Sequence, residues 1–317
     1  GFLYYDTENF LRYKNYFDRM KANGNERMDL KDPNLEDKMT TIYIDANVAK
    51  SLMPNIDKDN DSKILTATIV MDLKSADKDI QSENVAAIIR GSEKPNEYLI
   101  VSAHLDHIGI NKDGEINNGA DDDGSGTVAV LEIAKAFKKA ADEGHGPKRS
   151  VVFLHVTGEE KGLLGSRYYT DVDPIFPLSQ TVANLNIDMI GRIDPKRTGD
   201  RNYVYLIGSD KLSTELHNLS EEVNKKYCQL ELDYTFNDEN DPNRFYYRSD
   251  HYNFAKNNIP IIFYFSGVHE DYHRPGDTPD KINYDLLENR TRLVFYTAWE
   301  VANRPQRVTV DPEKVVK

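Results

Sequence analysis

Side chains able to hold metals and move protons recur in five separated segments. His104 is followed by Asp106 and His107, and Asp122 is the middle of three aspartates in 119–126, GADDDGSG. Glu159 and Glu160 follow Gly158, Asp188 precedes Met189, and His273 follows Tyr272 in the run YHRPGD. Imidazole and carboxylate without thiolate suit zinc, with manganese or cobalt as substitutes. The set fits two divalent ions, since zincs about 3.5–4 Å apart can share one bridging carboxylate and bring a water's pKa near 7. Such chemistry needs a further carboxylate that is not a ligand, to accept the water's proton. Adjacent Glu159 and Glu160 offer one residue for each task.

Taken singly, each residue has an ordinary reading: an aspartate in a glycine turn is usually turn chemistry, and a lone histidine is usually packing or surface. Gathered at one partly buried rim, several carboxylates would repel one another and lose hydration unless cations joined them.

The elements around these residues predict such a rim. Apolar runs at 98–103 and 151–156 read as strands, and 182–189, 204–207 and 259–265 are further strand candidates. Helical spacing occurs in 124–137, through Val128, Leu131, Ala134 and Phe137, and in 163–169, 212–227 and 286–302. Alternating strands and helices of these lengths predict a largely parallel sheet covered by helices, with sites where strands end. The candidate ligands fall at those ends. Upstream, Phe10, Tyr13, Phe17 and Met20 predict a short amphipathic helix, and 64–73 reads as a strand.

Composition narrows the classes. The chain has 317 residues, 39% hydrophobic and 29% charged, enough for a substantial core and against wholesale disorder. No run approaches 18 apolar residues, so no membrane span is expected. Forty basic against 53 acidic residues give a formal charge of −13, the opposite of a phosphate-backbone binder, so no nucleic-acid partner is expected. A single cysteine, Cys228, excludes an internal disulfide framework and any cysteine-rich zinc module. The start at Gly1 without a leader reads as a processed or recombinant fragment.

With these motifs assembled, the chain resembles the dinuclear zinc aminopeptidases of the M28 peptidase family over about 84–304. The resemblance implies an α/β fold with a mixed, mainly parallel central sheet and helices on both faces, of the phosphorylase/hydrolase-like kind. It implies a catalytic domain at 81–317 and a small N-terminal accessory segment at 1–80. It also implies two zinc ions, one held by His104 and Asp188 and the other by Glu160 and His273, with Asp122 bridging. Glu159 would be the general base, and later the acid to the leaving amine. Asp106 would orient His104 from behind, and a cis peptide would join Asp122 to Asp123, also behind the ligands. Tyr272 matches a position where some members stabilise the oxyanion.

The implied activity is aminopeptidase hydrolysis of peptides with a free N-terminus through a dizinc-bridged water, in a periplasmic or secreted protein. Alternatives on the same scaffold are a carboxypeptidase, a dipeptidase, a glutaminyl cyclase and a non-catalytic binding ectodomain. Intact metal and base positions speak against the last.

Four further features carry other expectations. Residues 269–273, HEDYH, match the helical zincin motif HExxH, but Gly267 before and Pro275 and Gly276 after predict a loop. Ser249-Asp250-His251 resembles a family segment near the substrate cleft and reads primarily as a helix start. His107 and His269 are assigned surface or packing roles. Residues 41–53 resemble the tail of a protease-associated insert whose full length is absent.

Overall fold

The computed structural model describes residues 2–6, 10–22, 28–30, 41–58, 61–66, 68, 70 and 79–316. The chain divides into two compact units, Gly1–Gln81 and Ser82–Lys317.

In the first unit, β1 (Phe2–Tyr4) pairs in parallel with β2 (Thr41–Tyr43). The predicted helix is α1 (Phe10–Ala22). A second helix, α2 (Ala46–Leu52), starts where the Asp45 carboxylate accepts the N–H groups of Asn47 and Val48, each at 2.9 Å. The strand expected at 64–73 is not formed at 64–66, 68 or 70, and the rest of it lies outside the described residues. Ile64 is fully exposed and Val70 nearly so, and apolar side chains that cover nothing give a strand no face to bury.

The second unit is built on seven strands: β3 (Val85–Ile89), β4 (Lys94–His104), β5 (Arg149–Val156), β6 (Thr181–Ile187), β7 (Tyr203–Ile207), β8 (Glu231–Asp233) and β9 (Ile261–Phe265). Their order is β3-β5-β4-β6-β9-β7-β8, with β3 antiparallel to β5 and β7 antiparallel to β9. The other pairings are parallel, so the sheet is mixed and mainly parallel. The helices are α3 (Gly124–Asp142), α4 (Leu164–Arg167), α5 (Thr214–Val223), α6 (His251–Ala255) and α7 (Tyr284–Asn303).

Alternation along β4 shows how the layers form. Leu99, Val101 and Ala103 pack with residues of α3, α5 and α7, whereas Tyr98 and Ile100 pack with Phe254 and Ala255 of α6. Both faces are therefore covered, as βαβ connections require. On the α6 side a polar ladder crosses the sheet: Asn184 Nδ2 donates to Ser102 Oγ, Ser102 Oγ to Asn186 Oδ1, and Asn186 Nδ2 to Ser249 Oγ, at 2.7–3.0 Å. Every residue in it is buried.

Helix α3 is turned from its predicted face. Val128 and Leu131 are exposed, Phe137 is buried as the spacing predicts, and Ala129, Val130 and Ile133 are buried beside it. Its start buries Ser125, Gly126 and Ala129: a Cβ at Gly126 would meet the Asp123 carboxylate, and Ser125 Oγ donates to the Asp121 carbonyl and accepts the Ile190 N–H. Those contacts fix the rotation of the whole helix.

Candidate metal centre

The site lies beyond the carboxyl ends of adjacent parallel strands. β4 ends at His104, β5 leads through Gly158 to Glu159 and Glu160, β6 is followed directly by Asp188, and the segment after β9 carries His273. Asp122 arrives from the turn that opens α3.

Asp122 stands between two sets of ligand-type atoms. Its Oδ1 is 3.3 Å from His104 Nε2, which is 3.7 Å from Asp188 Oδ1. Its Oδ2 is 3.2 Å from His273 Nε2, which is 3.1 Å from Glu160 Oε2. Ligand atoms of His104, Glu159 and Asp188 lie within 4.8 Å of one another, as do those of His107, Asp122 and Glu160. His104 Nε2, Asp122 Oδ2, Glu160 Oε1, His273 Nε2 and both ring nitrogens of His107 are buried without a hydrogen-bond partner among the described residues. Buried polar atoms are rarely left so. These approach one another closely but are not aligned to hydrogen-bond, and two adjoining clusters of lone pairs fit divalent cations.

Three consecutive aspartates divide the work of holding this arrangement. Asp121 Oδ1 accepts the Gly191 N–H at 2.6 Å, and its Oδ2 is 3.2 Å from His269 Nε2. Asp122 faces the histidines. Asp123 accepts the N–H groups of His104 (3.2 Å), Gly126 (2.9 Å) and Met189 (3.1 Å), tying β4, α3 and the end of β6 together. The Asp122–Asp123 peptide is cis. Asp277, fully buried four residues after His273, accepts the N–H groups of both Asp121 and Asp122 at 3.0–3.1 Å. Met189 and His273, beside and within the cluster, both hold left-handed backbone at φ 57°. Non-glycine residues adopt that conformation where their surroundings impose it, often at functional sites.

Asp106 differs from its expected role. His104 Nδ1 lies 2.9 Å from the Asp106 backbone carbonyl, while the nearer carboxylate oxygen is 3.9 Å away. That carboxylate instead accepts the N–H groups of Glu159 at 3.0 Å and Glu160 at 3.3 Å.

The electrostatics follow from crowded charge. Burial disfavours protonated His104, but the Asp122 and Asp188 carboxylates together outweigh it and hold the pKa well above the ordinary value. His273 behaves likewise: burial opposes the proton, yet Asp122 and Glu160 raise it to about 9. Burial would raise Asp122 and Glu160, but neighbouring histidines hold both below the usual range. Glu159 is pushed well above the carboxylate range by burial first, then by the charges of Asp188, Asp250 and Glu160, with His104 opposing. Neighbouring carboxyls whose proton affinities are pushed in opposite directions are a pattern common at functional sites.

Other sequence expectations resolve here. Residues 269–273 form a turn, and their two histidines face different aspartates, so HEDYH is not a helical zinc motif. His269 is buried against Asp121, in keeping with a packing role. His107, assigned only surface or packing, instead lies 2.9 Å from Glu160 Oε1 inside the second cluster. The signal was its position three residues after His104, in the same strand-end loop. Helix α6 begins at His251, but the Asp250 carboxylate does not cap it and accepts from Ser166 Oγ at 2.5 Å. Tyr272 stacks on His273 with ring centroids 3.8 Å apart. It lines a cleft with Asp122, Glu159, Glu160 and Asp188, whose apolar wall includes Met189, Phe245, Phe263 and Phe265.

Comparison with known proteins gives this arrangement its family. A sequence model described as Peptidase family M28 matches residues 84–298. A probable leucine aminopeptidase of Arthroderma benhamiae is 30% identical over 291 residues, covering 84% of this chain and 75% of that protein. Leucine aminopeptidase 2 of Arthroderma otae is 26% identical over 259 residues, covering 74% of this chain and 48% of its own length. In fold, the chain is similar to a zinc aminopeptidase from Bacillus subtilis, with TM-score 0.57, 24% identity and coverage of 70% of this chain and 51% of the other. The chain thus spans about half the length of several of these proteins. It belongs to the M28 peptidase family.

Proposed function

We propose that this chain carries a dinuclear-zinc aminopeptidase site that releases N-terminal residues from peptides. The observation that carries the reading is Asp122, whose Oδ1 lies 3.3 Å from His104 Nε2 and whose Oδ2 lies 3.2 Å from His273 Nε2, with Oδ2 and both of these ring nitrogens buried and without a hydrogen-bond partner among the described residues. One ion would be held by His104, Asp188 and Asp122, and the other by Glu160, His273 and Asp122, with His107 beside the second. Bound zinc supplies Lewis acidity, polarising a carbonyl and acidifying water.

The rest falls to the protein. Glu159, whose buried, acid-crowded surroundings raise the proton affinity of its carboxylate, takes the proton of the attacking water and returns it to the departing amine. Tyr272, at the cleft wall, donates to the carbonyl oxygen as negative charge develops there. Asp106 holds the Glu159–Glu160 backbone so that the two side chains diverge to separate tasks. A free α-amine is drawn to the acidic end of the cleft, which favours an exopeptidase. The names of two M28 relatives, leucine aminopeptidases both, support the same choice. No described helix is long and apolar enough to cross a membrane. From the family resemblance alone we place the activity in the periplasm or outside the cell.

The test is hydrolysis of aminoacyl p-nitroanilides and their N-acetyl counterparts by zinc-loaded protein. Cleavage restricted to free-amine substrates is expected, and preference for blocked or C-terminal substrates would overturn the aminopeptidase assignment.

A further inference from the structure

Several arginines of this acidic chain meet a carboxylate. Arg149 pairs with Glu97, Arg192 with Asp271, Arg197 with Asp233 and Arg201 with Asp285. Arg248 does not. It is exposed on the cleft wall, where it is the one cationic lining residue among those described, and it makes no ion pair among the described residues. Its guanidinium carbon sits 5.0 Å from the centroid of the Phe245 ring, and Nη2 donates to Tyr272 Oη at 3.4 Å. Tyr272 in turn stacks on His273, so the guanidinium stands about one side-chain length from the ion cluster.

A guanidinium has five N–H donors in a planar fork, and here one is used. Two features hold the fork in place: the aromatic face of Phe245 and the Tyr272 hydroxyl. Around it lie apolar Phe245, Phe263, Phe265 and Val268. The carboxylates lining the same cleft, Asp122, Glu159, Glu160 and Asp188, are beyond ion-pair distance, so Arg248 is not there to neutralise them. A cation fixed on an apolar wall with donors to spare fits a ligand carboxylate, which a guanidinium binds through two parallel hydrogen bonds.

We propose that Arg248 is a specificity-determining residue that selects substrates carrying a carboxylate next to the scissile bond. The inference rests on the peptidase reading above and narrows its substrate class. The carboxylate has two possible sources, the side chain of an acidic N-terminal residue or the C-terminus of a dipeptide. Both present the same group to the same fork.

The experiment compares isosteric pairs with zinc-loaded protein: Leu-Ala against Leu-Ala-amide, and Glu-p-nitroanilide against Gln-p-nitroanilide. In the unaltered protein, one pair is expected to show a preference for the charged member of about ten- to hundredfold in kcat/KM. The pair that does so identifies the source. In Arg248→Gln that preference should collapse to about twofold, and in Arg248→Lys it should be intermediate, since the charge remains and the fork is lost. A merely structural role would lower both members of a pair together and leave their ratio intact. No preference in the unaltered protein, or one that survives Arg248→Gln, overturns the proposal.

Should none of the four be hydrolysed, the peptidase reading fails, and binding decides the role of Arg248 separately. Calorimetric titration of Glu159→Gln, with and without Arg248→Gln, by Leu-Ala, Leu-Ala-amide, Glu-amide and Gln-amide reads the same ratios without turnover. A charged-member preference that depends on Arg248 supports the proposal, and equal affinities refute it.

Discussion

Asp106 accepts the backbone N–H of Glu159 at 3.0 Å, across 53 positions of sequence, and its second oxygen takes the N–H of Glu160. One carboxylate from the loop after β4 thus sets the backbone from which the proposed base and a proposed ligand both depart. Replacing it with a side chain that cannot accept should loosen that pair while leaving the sheet intact. Asp106→Ala is expected to lower kcat/KM by about 10- to 100-fold and to weaken zinc binding in the same range. Activity and zinc affinity equal to those of the unaltered protein would show that the two N–H groups are held adequately without it.

Glu159→Gln separates proton transfer from ion binding. The amide keeps the shape of the side chain but cannot accept the water's proton. Zinc content should be retained while kcat falls by about 10²- to 10⁴-fold. Unchanged turnover would remove Glu159 from the base role, and loss of zinc would place it among the ligands, a role its proximity to His104 and Asp188 allows.

The two histidines of HEDYH should part company. His273 lies 3.2 Å from Asp122 and 3.1 Å from Glu160, whereas His269 pairs with Asp121 behind the cluster. His273→Ala is expected to lose about one zinc per chain by elemental analysis. His269→Ala should keep its zinc, since His269 faces Asp121 and not the cluster. Equal zinc loss in both variants would restore the zincin reading.

His251 predicts a pH dependence of stability. It is fully buried, stacks on Phe263 and has Nε2 2.8 Å from the Tyr246 carbonyl. Burial lowers its pKa to about 3, with that carbonyl opposing. Because the folded value lies below the unfolded value of about 6.5, the unfolded chain takes up the proton first. The contribution is therefore complete above about pH 6.5 and is lost as pH falls toward 3, by about 1.4 kcal/mol per unit. Urea unfolding at pH 7, 6, 5 and 4 should show the unaltered protein losing stability faster than His251→Phe by about that slope. Parallel curves would mean that His251 does not titrate in this range.

What could be read in advance follows from how each feature is encoded. The central strands β4, β5, β6 and β9 are buried on both faces, so β4, β5 and β9 contain runs of consecutive apolar residues, while β6 interleaves its apolar residues with the buried Asn184 and Asn186. The candidate ligands were visible because carboxylates and imidazoles directly after such runs have few other uses. Edge strands were not visible: β3 is Val-Ala-Ala-Ile-Ile and half exposed, and β8 has three residues. The face of α3 was misread because Val128 and Leu131 share a stripe by spacing, whereas docking through Ser125 and Gly126 chose another. The Asp106 contact was hidden because its partners are backbone N–H groups, present at every residue but proline. Arg248 was hidden in a polar stretch, since only the folded chain shows which arginines lack a carboxylate.

The central claim is that Asp122 joins two ion sites, and the most direct test is zinc content by elemental analysis. Protein saturated with zinc and dialysed against zinc-free buffer should retain about two ions per chain, and Asp122→Ala should retain fewer than one. A stoichiometry of one in the unaltered protein, or two that survive Asp122→Ala, would contradict a bridged pair.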